Sequence, residues 1–281
     1  MNISQSLVAA ASALAEAGVA EPRREAGSLL AFVLERDAAF LIAHPEYELD
    51  EEQAAAFGSV VGRRVEREPF QYITGHQEFY GLDFDVEPEV LIPRPETELL
   101  VETAIEILRS KPGPSFIEVG LGCGCISISI LKSLPNATAV ATDVSPIAAA
   151  LAGSNARKHG VEDRLKINDG TLFEGVDQKV DLVVTNPPYI PDSEVDTLQP
   201  EVSEYEPRLA LAGGPDGLSI VREIVGQAPG FLLPGGSIAI EIGHGQAEAV
   251  ANAFNTAVWT RPDFKCDLQS IPRVAVSTLR S

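Results

Sequence analysis

The sequence contains few cysteines. Its 281 residues include only Cys123, Cys125 and Cys266, too few for the disulfide framework that stabilises many secreted chains. Cys123 and Cys125 are one residue apart, a spacing too tight to bridge comfortably. No second cysteine pair or clustered histidine completes a zinc site with them. We therefore expect a reducing, cytoplasmic environment, small buried cysteine side chains and no bound metal.

Long hydrophobic runs are also missing. The apolar runs are interrupted well short of the roughly 20 residues that a membrane-spanning helix needs. The N-terminus, residues 1–4, lacks the basic start and apolar core of a secretion signal. The sequence predicts neither a membrane partner nor export.

Positive charge is scarce relative to negative charge. Lysine and arginine total 21 against 41 aspartates and glutamates, which gives a net charge of -20. A field of this sign repels phosphate backbones and disfavours direct binding to nucleic acid. Apolar residues make up 45% of the chain, which is ample for a packed core and excludes a wholly disordered protein.

The first 70 residues have helical periodicity. Apolar residues such as Leu7, Leu14 and Leu29 recur at three- and four-residue spacings. Pro22 and Asp50 stand where helices would begin, because proline is tolerated at the first helical position and acidic groups favour the positive end of the helix dipole. We predict a small helical domain, residues 1–70, with a structural or docking role.

The pattern changes at Pro69. Residues 79–86 alternate apolar and polar side chains around a glycine, as in a β-hairpin. Two prolines stiffen the loop that follows, and Thr97 or a neighbour would cap the next helix, residues 99–109. We assign residues 71–93 to a hairpin linker.

Beyond Pro114, strand-like and helical segments alternate. The predicted strands are 115–120, 137–143, 165–168, 180–185 and 237–242, and the predicted helices are 126–134, 146–159, 218–232 and 246–257. This alternation indicates an α/β fold, a mostly parallel sheet with helices on both faces. Strands 264–268 and 273–279 are too close together for a helical crossover and indicate an antiparallel edge. The α/β domain would span residues 94–281.

A glycine-rich loop stands where the first of these strands meets its helix. It reads Glu118-Val119-Gly120-Leu121-Gly122-Cys123-Gly124, and its glycines allow a sharp turn and close approach to a ligand. A dinucleotide-binding GxGxxG loop would need glycine where this chain has Cys125. Asp143, at the end of the next strand, can accept hydrogen bonds from ribose hydroxyls or cap the helix near Pro146. Together, the loop and Asp143 favour a nucleoside cofactor.

A second motif follows the fourth strand of this domain. The strand runs directly into Asn186-Pro187-Pro188-Tyr189, and the prolines lock the backbone where such sheets bind ligands. The Asn186 side-chain oxygen and the Pro187 carbonyl can accept both N–H bonds of a planar NH2 group. Tyr189 would form a flat wall beside that group. This arrangement favours chemistry on an amide or aromatic amine.

These motifs resemble those of the class I S-adenosylmethionine methyltransferases. Along nearly the whole chain, the sequence is similar to the bacterial protein-(glutamine) methyltransferases that modify release factors. Six segments carry the similarity: residues 69–75, 91–98, 118–124, 186–190, 204–211 and 213–218. The resemblance implies a Rossmann-like methyltransferase domain after a helical domain and a hairpin linker. It also implies methyl transfer from S-adenosyl-L-methionine to the glutamine of the release-factor Gly-Gly-Gln motif, with S-adenosyl-L-homocysteine as product.

The resemblance also assigns roles to residues of this chain. The implied catalytic residues are Asn186, Pro187 and Tyr189, which hold the glutamine together with Pro188. The implied cofactor-binding residues are Glu118, Gly120, Gly122, Gly124, Asp143, Asp169, Thr171 and Asn186.

The sequence departs from the family pattern at two places. In the glycine loop, Glu118 replaces the usual aspartate, and Leu121 and Cys123 replace the usual threonine and serine, which removes two hydroxyls near the cofactor. Thr171 stands where the family usually has aspartate, so that either Thr171 or Asp169 would reach the adenine.

Three alternatives remain open at this point. They are methylation of a glutamine on a ribosomal protein, methylation of the exocyclic amine of a nucleic-acid base, and a non-catalytic binding module that retains the fold. A base-modifying enzyme needs base flipping and a positive surface, and the net charge argues against it. The intact motif at residues 186–189 argues against a binding module.

We expect a monomer whose negative charge attracts a basic release-factor surface.

Overall fold

A computed structural model describes residues 1–280 of the chain. Within them the helices are α1 (Ile3–Glu16), α2 (Pro22–Leu34), α3 (Ala38–Ala43), α4 (Glu51–Val65), α5 (Phe70–Thr74), α6 (Glu98–Leu108), α7 (Cys125–Ser133), α8 (Pro146–Lys158), α9 (Pro200–Ser203), α10 (Arg208–Leu211), α11 (Ser219–Gln227) and α12 (Ala247–Ala253). The strands are β1 (His76–Phe79), β2 (Leu82–Asp85), β3 (Ser115–Val119), β4 (Thr138–Asp143), β5 (Leu165–Asp169), β6 (Val180–Thr185), β7 (Leu232–Glu241), β8 (Asp263–Cys266) and β9 (Pro272–Thr278).

The chain folds into two compact units. The helical unit contains residues 1–76 and 199–205, and the sheet unit contains residues 77–198 and those from 206 onward. The three-part division made from sequence stays a prediction. No sequence pattern indicated that residues 199–205 would join the helical unit.

Helices α2 and α4 of the helical unit begin at the residues that the sequence indicates. Pro22 occupies the first position of α2, and Asp50 caps α4 by accepting a hydrogen bond from the Gln53 N–H at 2.8 Å. Both starts match the prediction. Leu14 and Leu29 are fully buried in a core that the helices of this unit share.

Charged side chains fix residues 199–205 within the helical unit. Glu201 receives Arg64 on one carboxylate oxygen at 2.9 Å and Arg67 on the other at 2.5 Å, and the Tyr205 hydroxyl donates to the Glu66 carbonyl at 2.6 Å. Burial alone would raise the pKa of Glu201, but hydrogen bonds from Arg67 and Arg64 outweigh it and lower that pKa. The segment is therefore attached by ion pairs rather than by a broad apolar face.

The sheet unit has seven strands in the order β5-β4-β3-β6-β7-β9-β8. The first five run parallel, and β9 pairs antiparallel with both β7 and β8. This topology confirms the predicted parallel sheet with an antiparallel edge. The strand order reverses between β3 and β6, and ligands bind at such a switch point, beyond the carboxyl ends of the strands.

In the sheet unit, one element confirms the sequence prediction and another contradicts it. The predicted hairpin is present as β1 and β2, with Tyr80 and Gly81 at positive φ of 54° and 72° in its turn. The helix predicted for residues 218–232 is too long, because Pro229 has no N–H to continue it. Helix α11 ends at Gln227, and Leu232 already begins β7.

No helix within residues 1–280 combines the length and apolar character required to cross a membrane.

Candidate active site

The glycine loop after β3 turns through left-handed backbone. Gly120, Gly122 and Gly124 have φ of 78°, 56° and 85°, a region that glycine enters without steric cost. A Cβ on Gly124 would lie 2.9 Å from Ile128 Cδ1, whereas one on Gly122 would meet nothing within 4 Å. Gly124 thus packs the loop onto the fold, and Gly122 faces open space in which a ligand can lie.

Asp143 ties the end of β4 to this loop. Its Oδ2 accepts a hydrogen bond from the Gly122 N–H at 2.8 Å, and its Oδ1 accepts one from the Ser145 N–H at 2.9 Å. Ser145, rather than Asp143, caps α8 through Ala148, so the capping alternative for Asp143 is wrong. Each carboxylate oxygen keeps a free lone pair, which leaves Asp143 able to accept further hydrogen bonds from a ligand.

Glu118 is buried beneath the loop. Its side chain is 0% exposed, its Oε2 accepts a hydrogen bond from the Ser127 N–H in the first turn of α7 at 2.9 Å, and its Oε1 has no partner within the described chain. Burial raises the pKa of Glu118 to about 8, against the opposing hydrogen bond from Ser127. Glu118 therefore anchors the start of α7, and its cofactor contact stays a prediction.

Leu121 and Cys123, which replace the usual threonine and serine of the glycine loop, lie in the core. Leu121 and Cys123 are 2% and 1% exposed and belong to the apolar cluster around β3 and β4. Cys125 is also buried, which agrees with the prediction of small buried cysteines. The side chains of Leu121 and Cys123 therefore stabilise the loop by packing into the core.

Asp169 and Thr171 lie at the same edge of the sheet, one strand further out. Asp169 ends β5 beside Asp143, in register with it, and the Gly170 N–H donates to the Asp143 carbonyl at 3.0 Å. The side chains of Asp169 and Thr171 are exposed. Both are thus available to a ligand, and the choice between them as the adenine contact stays a prediction.

The Asn186 motif follows β6 directly beside the glycine loop. A Cβ on Gly120 would lie 4.0 Å from the Asn186 carbonyl oxygen, so the two predicted motifs meet. The Asn186 Nδ2 donates a hydrogen bond to the Thr97 Oγ1 at 3.2 Å. That bond uses the Nδ2 and leaves the Asn186 Oδ1 available to accept a hydrogen bond.

A glycine-rich segment, residues 213–217, holds the backbone of this motif. A Cβ on Gly213 would lie 2.6 Å from the Pro188 carbonyl oxygen, and one on Gly217 would lie 2.3 Å from that of Tyr189. The Gln246 Nε2 also donates to the Tyr189 carbonyl at 2.8 Å. The sequence marked this glycine run as similar to the family but gave it no role, and nothing in the sequence indicated Gln246.

Thr97 and Glu241 are buried polar side chains near the motif. Thr97 occupies the N-cap position of α6, but its side chain makes no capping hydrogen bond, so the predicted capping by the Thr97 side chain is wrong. Glu241 ends β7 at 2% exposure. Burial raises its pKa to about 7, although hydrogen bonding from Thr97 opposes this rise. Burial and the nearby Glu241 also raise the pKa of Tyr189.

Sequence reasoning did not identify Glu241 as a site residue. The available signal was an acidic residue at the end of an apolar strand, the position that Asp143 also occupies.

Two of the segments that carry the family similarity also meet in the sheet unit. Arg94 pairs with the buried Glu206 at 2.5 Å, which joins the proline loop to residues 204–211.

Both parts of the chain match known protein families. Residues 5–75 match the PrmC N-terminal domain, and residues 95–202 match the methyltransferase small domain. A release factor glutamine methyltransferase of Geobacter sulfurreducens is 48% identical over 243 residues, 86% of this chain and 84% of the relative. One of Koribacter versatilis is 38% identical over 278 residues, 98% of each chain. This chain belongs to the release factor glutamine methyltransferase family.

Membership in the release factor glutamine methyltransferase family confirms the family predicted from the sequence. The sheet unit also has the fold of solved methyltransferases. A methyltransferase from Pyrococcus furiosus superposes with a TM-score of 0.54 at 16% identity, over 72% of this chain and 91% of that one. The likeness supports the predicted class I methyltransferase fold, and the chain is a methyltransferase, as its motifs predicted.

Proposed function

We propose that this enzyme methylates the side-chain amide nitrogen of the glutamine in the Gly-Gly-Gln motif of peptide chain release factors, in the cytoplasm. The observation that carries the proposal is the rigid Asn186-Pro187-Pro188-Tyr189 loop beside the glycine loop at the switch point of the sheet. A planar NH2 group has two N–H bonds, and this loop offers two acceptors.

The residues of the first loop suit S-adenosyl-L-methionine as methyl donor. Asp143 is held at the sheet edge with free lone pairs for two ribose hydroxyls. Gly122 exposes backbone toward open space, and Asp169 or Thr171 would contact the adenine. When bound, this donor supplies a methyl group on a positively charged sulfur, which leaves as a neutral thioether.

The substrate loop would activate a poor nucleophile. The lone pair of an amide nitrogen is delocalised into its carbonyl. The Asn186 Oδ1 and the Pro187 carbonyl would accept both N–H bonds and favour a more pyramidal nitrogen aimed at the methyl group. The amide proton would pass to solvent water after the nitrogen–carbon bond forms, because methylation makes that nitrogen strongly acidic. Positioning and preorganised dipoles would supply most of the acceleration.

The test is to locate the methyl group. A release factor with an unmodified glutamine is incubated with the enzyme and isotopically labelled S-adenosyl-L-methionine, and its peptides are analysed by mass spectrometry. We expect one labelled methyl group on the glutamine of Gly-Gly-Gln. A release factor with glutamate at that position is the control and should stay unlabelled. A label that appears instead on a ribosomal protein or on nucleic acid would contradict the proposal.

We further propose that the enzyme acts as a monomer and that its net charge of -20 attracts a basic release-factor surface. The association rate with the release factor should then fall as ionic strength rises. A flat profile would contradict this attraction.

A further inference from the structure

The Gln246 side chain bridges two loops beyond the carboxyl ends of β6 and β7. Its Oε1 accepts a hydrogen bond from the Gly243 N–H at 2.9 Å, and its Nε2 donates one to the Tyr189 carbonyl, 57 residues away in the chain, at 2.8 Å. Gln246 is the N-cap residue of α12, but its side chain makes no capping hydrogen bond there. The side chain therefore holds the two loops together instead of its own helix.

Both partners of this carboxamide are backbone groups of fixed polarity. A backbone N–H only donates and a backbone carbonyl only accepts, so the Gln246 carboxamide can satisfy both in one orientation only. A flipped carboxamide would set its NH2 group against the Gly243 N–H and its oxygen against the Tyr189 carbonyl. The bridge consequently requires an acceptor at one end and a donor at the other.

The peptide group between Tyr189 and Ile190 is held at both of its polar ends. Gln246 binds its carbonyl, and its N–H donates to the Leu211 carbonyl at 3.0 Å. The two preceding residues, Pro187 and Pro188, have no N–H by which the backbone could be fastened. This peptide group is thus the point at which hydrogen bonds from other loops fix the end of the motif.

Glycines let the neighbouring segments approach this point closely. A Cβ on Gly217 would lie 2.9 Å from the Gln246 Nε2, and one on Gly243 would lie 3.1 Å from Cδ2 of the Tyr189 ring. The turn at residues 243–246 therefore contacts Tyr189 twice, at its carbonyl through Gln246 and at its ring through Gly243.

We propose that Gln246 is a positioning residue for methyl transfer: by fixing the peptide group after Tyr189, it sets the place of the Tyr189 ring and of the acceptors at Asn186 and Pro187. This inference rests on the proposed function, because those groups are the ones that would hold the substrate amide. Gln246 itself needs no contact with the substrate or the methyl donor.

The deciding experiment reverses one end of the bridge. Gln246→Glu keeps an oxygen for the Gly243 N–H, but its ionised form turns a second oxygen toward the Tyr189 carbonyl, and two acceptors repel each other. With an unmodified release factor and saturating donor, we expect kcat to fall about tenfold at about pH 8, the effect of one lost orienting hydrogen bond. The affinity for S-adenosyl-L-methionine, measured by calorimetry, should stay within about twofold.

Lowering the pH should restore the activity of this variant. A protonated glutamate can donate to the Tyr189 carbonyl, and a carboxyl that faces a carbonyl away from water binds its proton more readily than one in solution. The kcat of Gln246→Glu, relative to that of the wild type, should therefore rise several-fold between about pH 8 and about pH 5.5. The ionisable neighbours Asp216, Glu241 and His244 are present in the wild type as well, so the ratio removes their contribution.

Two further variants separate positioning from general damage to the fold. Gln246→Met forms neither hydrogen bond and does not ionise, so its loss of kcat should be the same at every pH. Gln227→Glu is the matched control, because it makes the same change at an exposed side chain at the end of α11. Its kcat should equal that of the wild type.

The bridge can also be observed by NMR without catalysis. With carbon-13 at tyrosine carbonyls and nitrogen-15 at isoleucine amides, the linked signals come from the two Tyr-Ile pairs of the sequence, at Tyr72 and Tyr189. Loss of the hydrogen bond should move the Tyr189 carbonyl resonance upfield in Gln246→Glu at alkaline pH. The Tyr72 resonance, in the helical unit, should not move.

The outcomes distinguish this inference from the proposed function. If the wild type methylates the release factor and Gln246→Glu keeps its full kcat, or loses the same share of it at every pH, the positioning role is refuted while the proposed function stands. If the wild type transfers no methyl group, the proposed function fails and the NMR measurement decides the bridge. An upfield shift at Tyr189 then supports it, and an unchanged resonance overturns it.

Discussion

The two loops at the switch point lie side by side but are held in place by different means. The glycine loop after β3 depends on its own backbone: its three glycines have positive φ, and Leu121 and Cys123 are buried beneath it. The Asn186 loop after β6 depends on distant side chains and on the glycine segment at residues 213–217.

Under the proposed roles, this difference predicts where side chains can change. A loop that binds the methyl donor through its backbone would tolerate new side chains that pack well, and Leu121 and Cys123 are buried in the core. A loop that binds the substrate through the Asn186 side chain would require that particular side chain. The four predictions below test this contrast, from the largest expected effect to the smallest.

Replacing Asn186 should remove catalysis and spare cofactor binding. For Asn186→Ala we expect kcat to fall about a thousandfold, as for the loss of a preorganised polar group at a reacting centre. The affinity for S-adenosyl-L-methionine, measured by calorimetry, should change by less than about threefold. Asn168→Ala is the control, because Asn168 bonds only the Gly175 carbonyl. Comparable turnover by Asn186→Ala would refute the amide clamp.

Replacing Asp143 should weaken cofactor binding and largely spare catalysis, the reverse of the Asn186 replacement. Asp143→Ala removes the proposed charged acceptor for the ribose and the hydrogen bond that Asp143 accepts from the Gly122 N–H. We expect the affinity for S-adenosyl-L-methionine to fall about ten- to hundredfold, the effect of lost charged hydrogen bonds. At saturating cofactor, kcat should recover most of its value. An unchanged affinity by calorimetry would rule out the ribose role.

The motifs of both loops were predictable from sequence because each is a local pattern. A strand followed by glycines, or by Asn186 and two prolines, indicates its own geometry. The interactions of Thr97 and Gln246 were not predictable, because their partners lie far away in the chain. The start of β7 was missed for a different reason: the pattern at residues 218–232 favoured a continuous helix, although Pro229, a local signal against it, stands in the sequence.

Backbone support of the substrate loop can be tested with a glycine pair. Gly217→Ala would place a Cβ 2.3 Å from the Tyr189 carbonyl oxygen, whereas Gly245→Ala has the same left-handed strain, with φ of 80°, but no atom within 4 Å. We expect kcat to fall about tenfold more in Gly217→Ala than in Gly245→Ala, since the clash displaces the motif. Similar losses in both variants would show that backbone strain alone is responsible.

The buried carboxyls of the two loops should differ in the pH range over which they affect stability. Burial raises the pKa of Glu118 to about 8 and that of Glu241 to about 7. A raised pKa favours the folded state at low pH, and this contribution is lost as pH rises through the folded-state pKa. Relative to the wild type, Glu118→Gln should therefore gain on the order of 2–4 kcal/mol in the free energy of unfolding between pH 5 and about 8. The corresponding gain for Glu241→Gln should end near pH 7.

Denaturant unfolding at several pH values provides the measurement. Glutamine keeps an oxygen that can accept the Ser127 N–H bond, so that Glu118→Gln changes the charge and little else. Parallel pH profiles for the wild type and Glu118→Gln would mean that this carboxyl does not titrate between pH 5 and about 8.

The assignment of residues 199–205 to the helical unit has a consequence for how this protein can be divided. The chain passes from one unit to the other after residues 76, 198 and 205, so that no single cut separates them. A truncated chain that begins at residue 77 would still contain Glu201 but would lack Arg64 and Arg67, which neutralise it. The helical unit is thus assembled from two separate stretches of chain. If the helical unit were exchanged between relatives or joined to another protein, residues 1–76 and 199–205 would have to be transferred together.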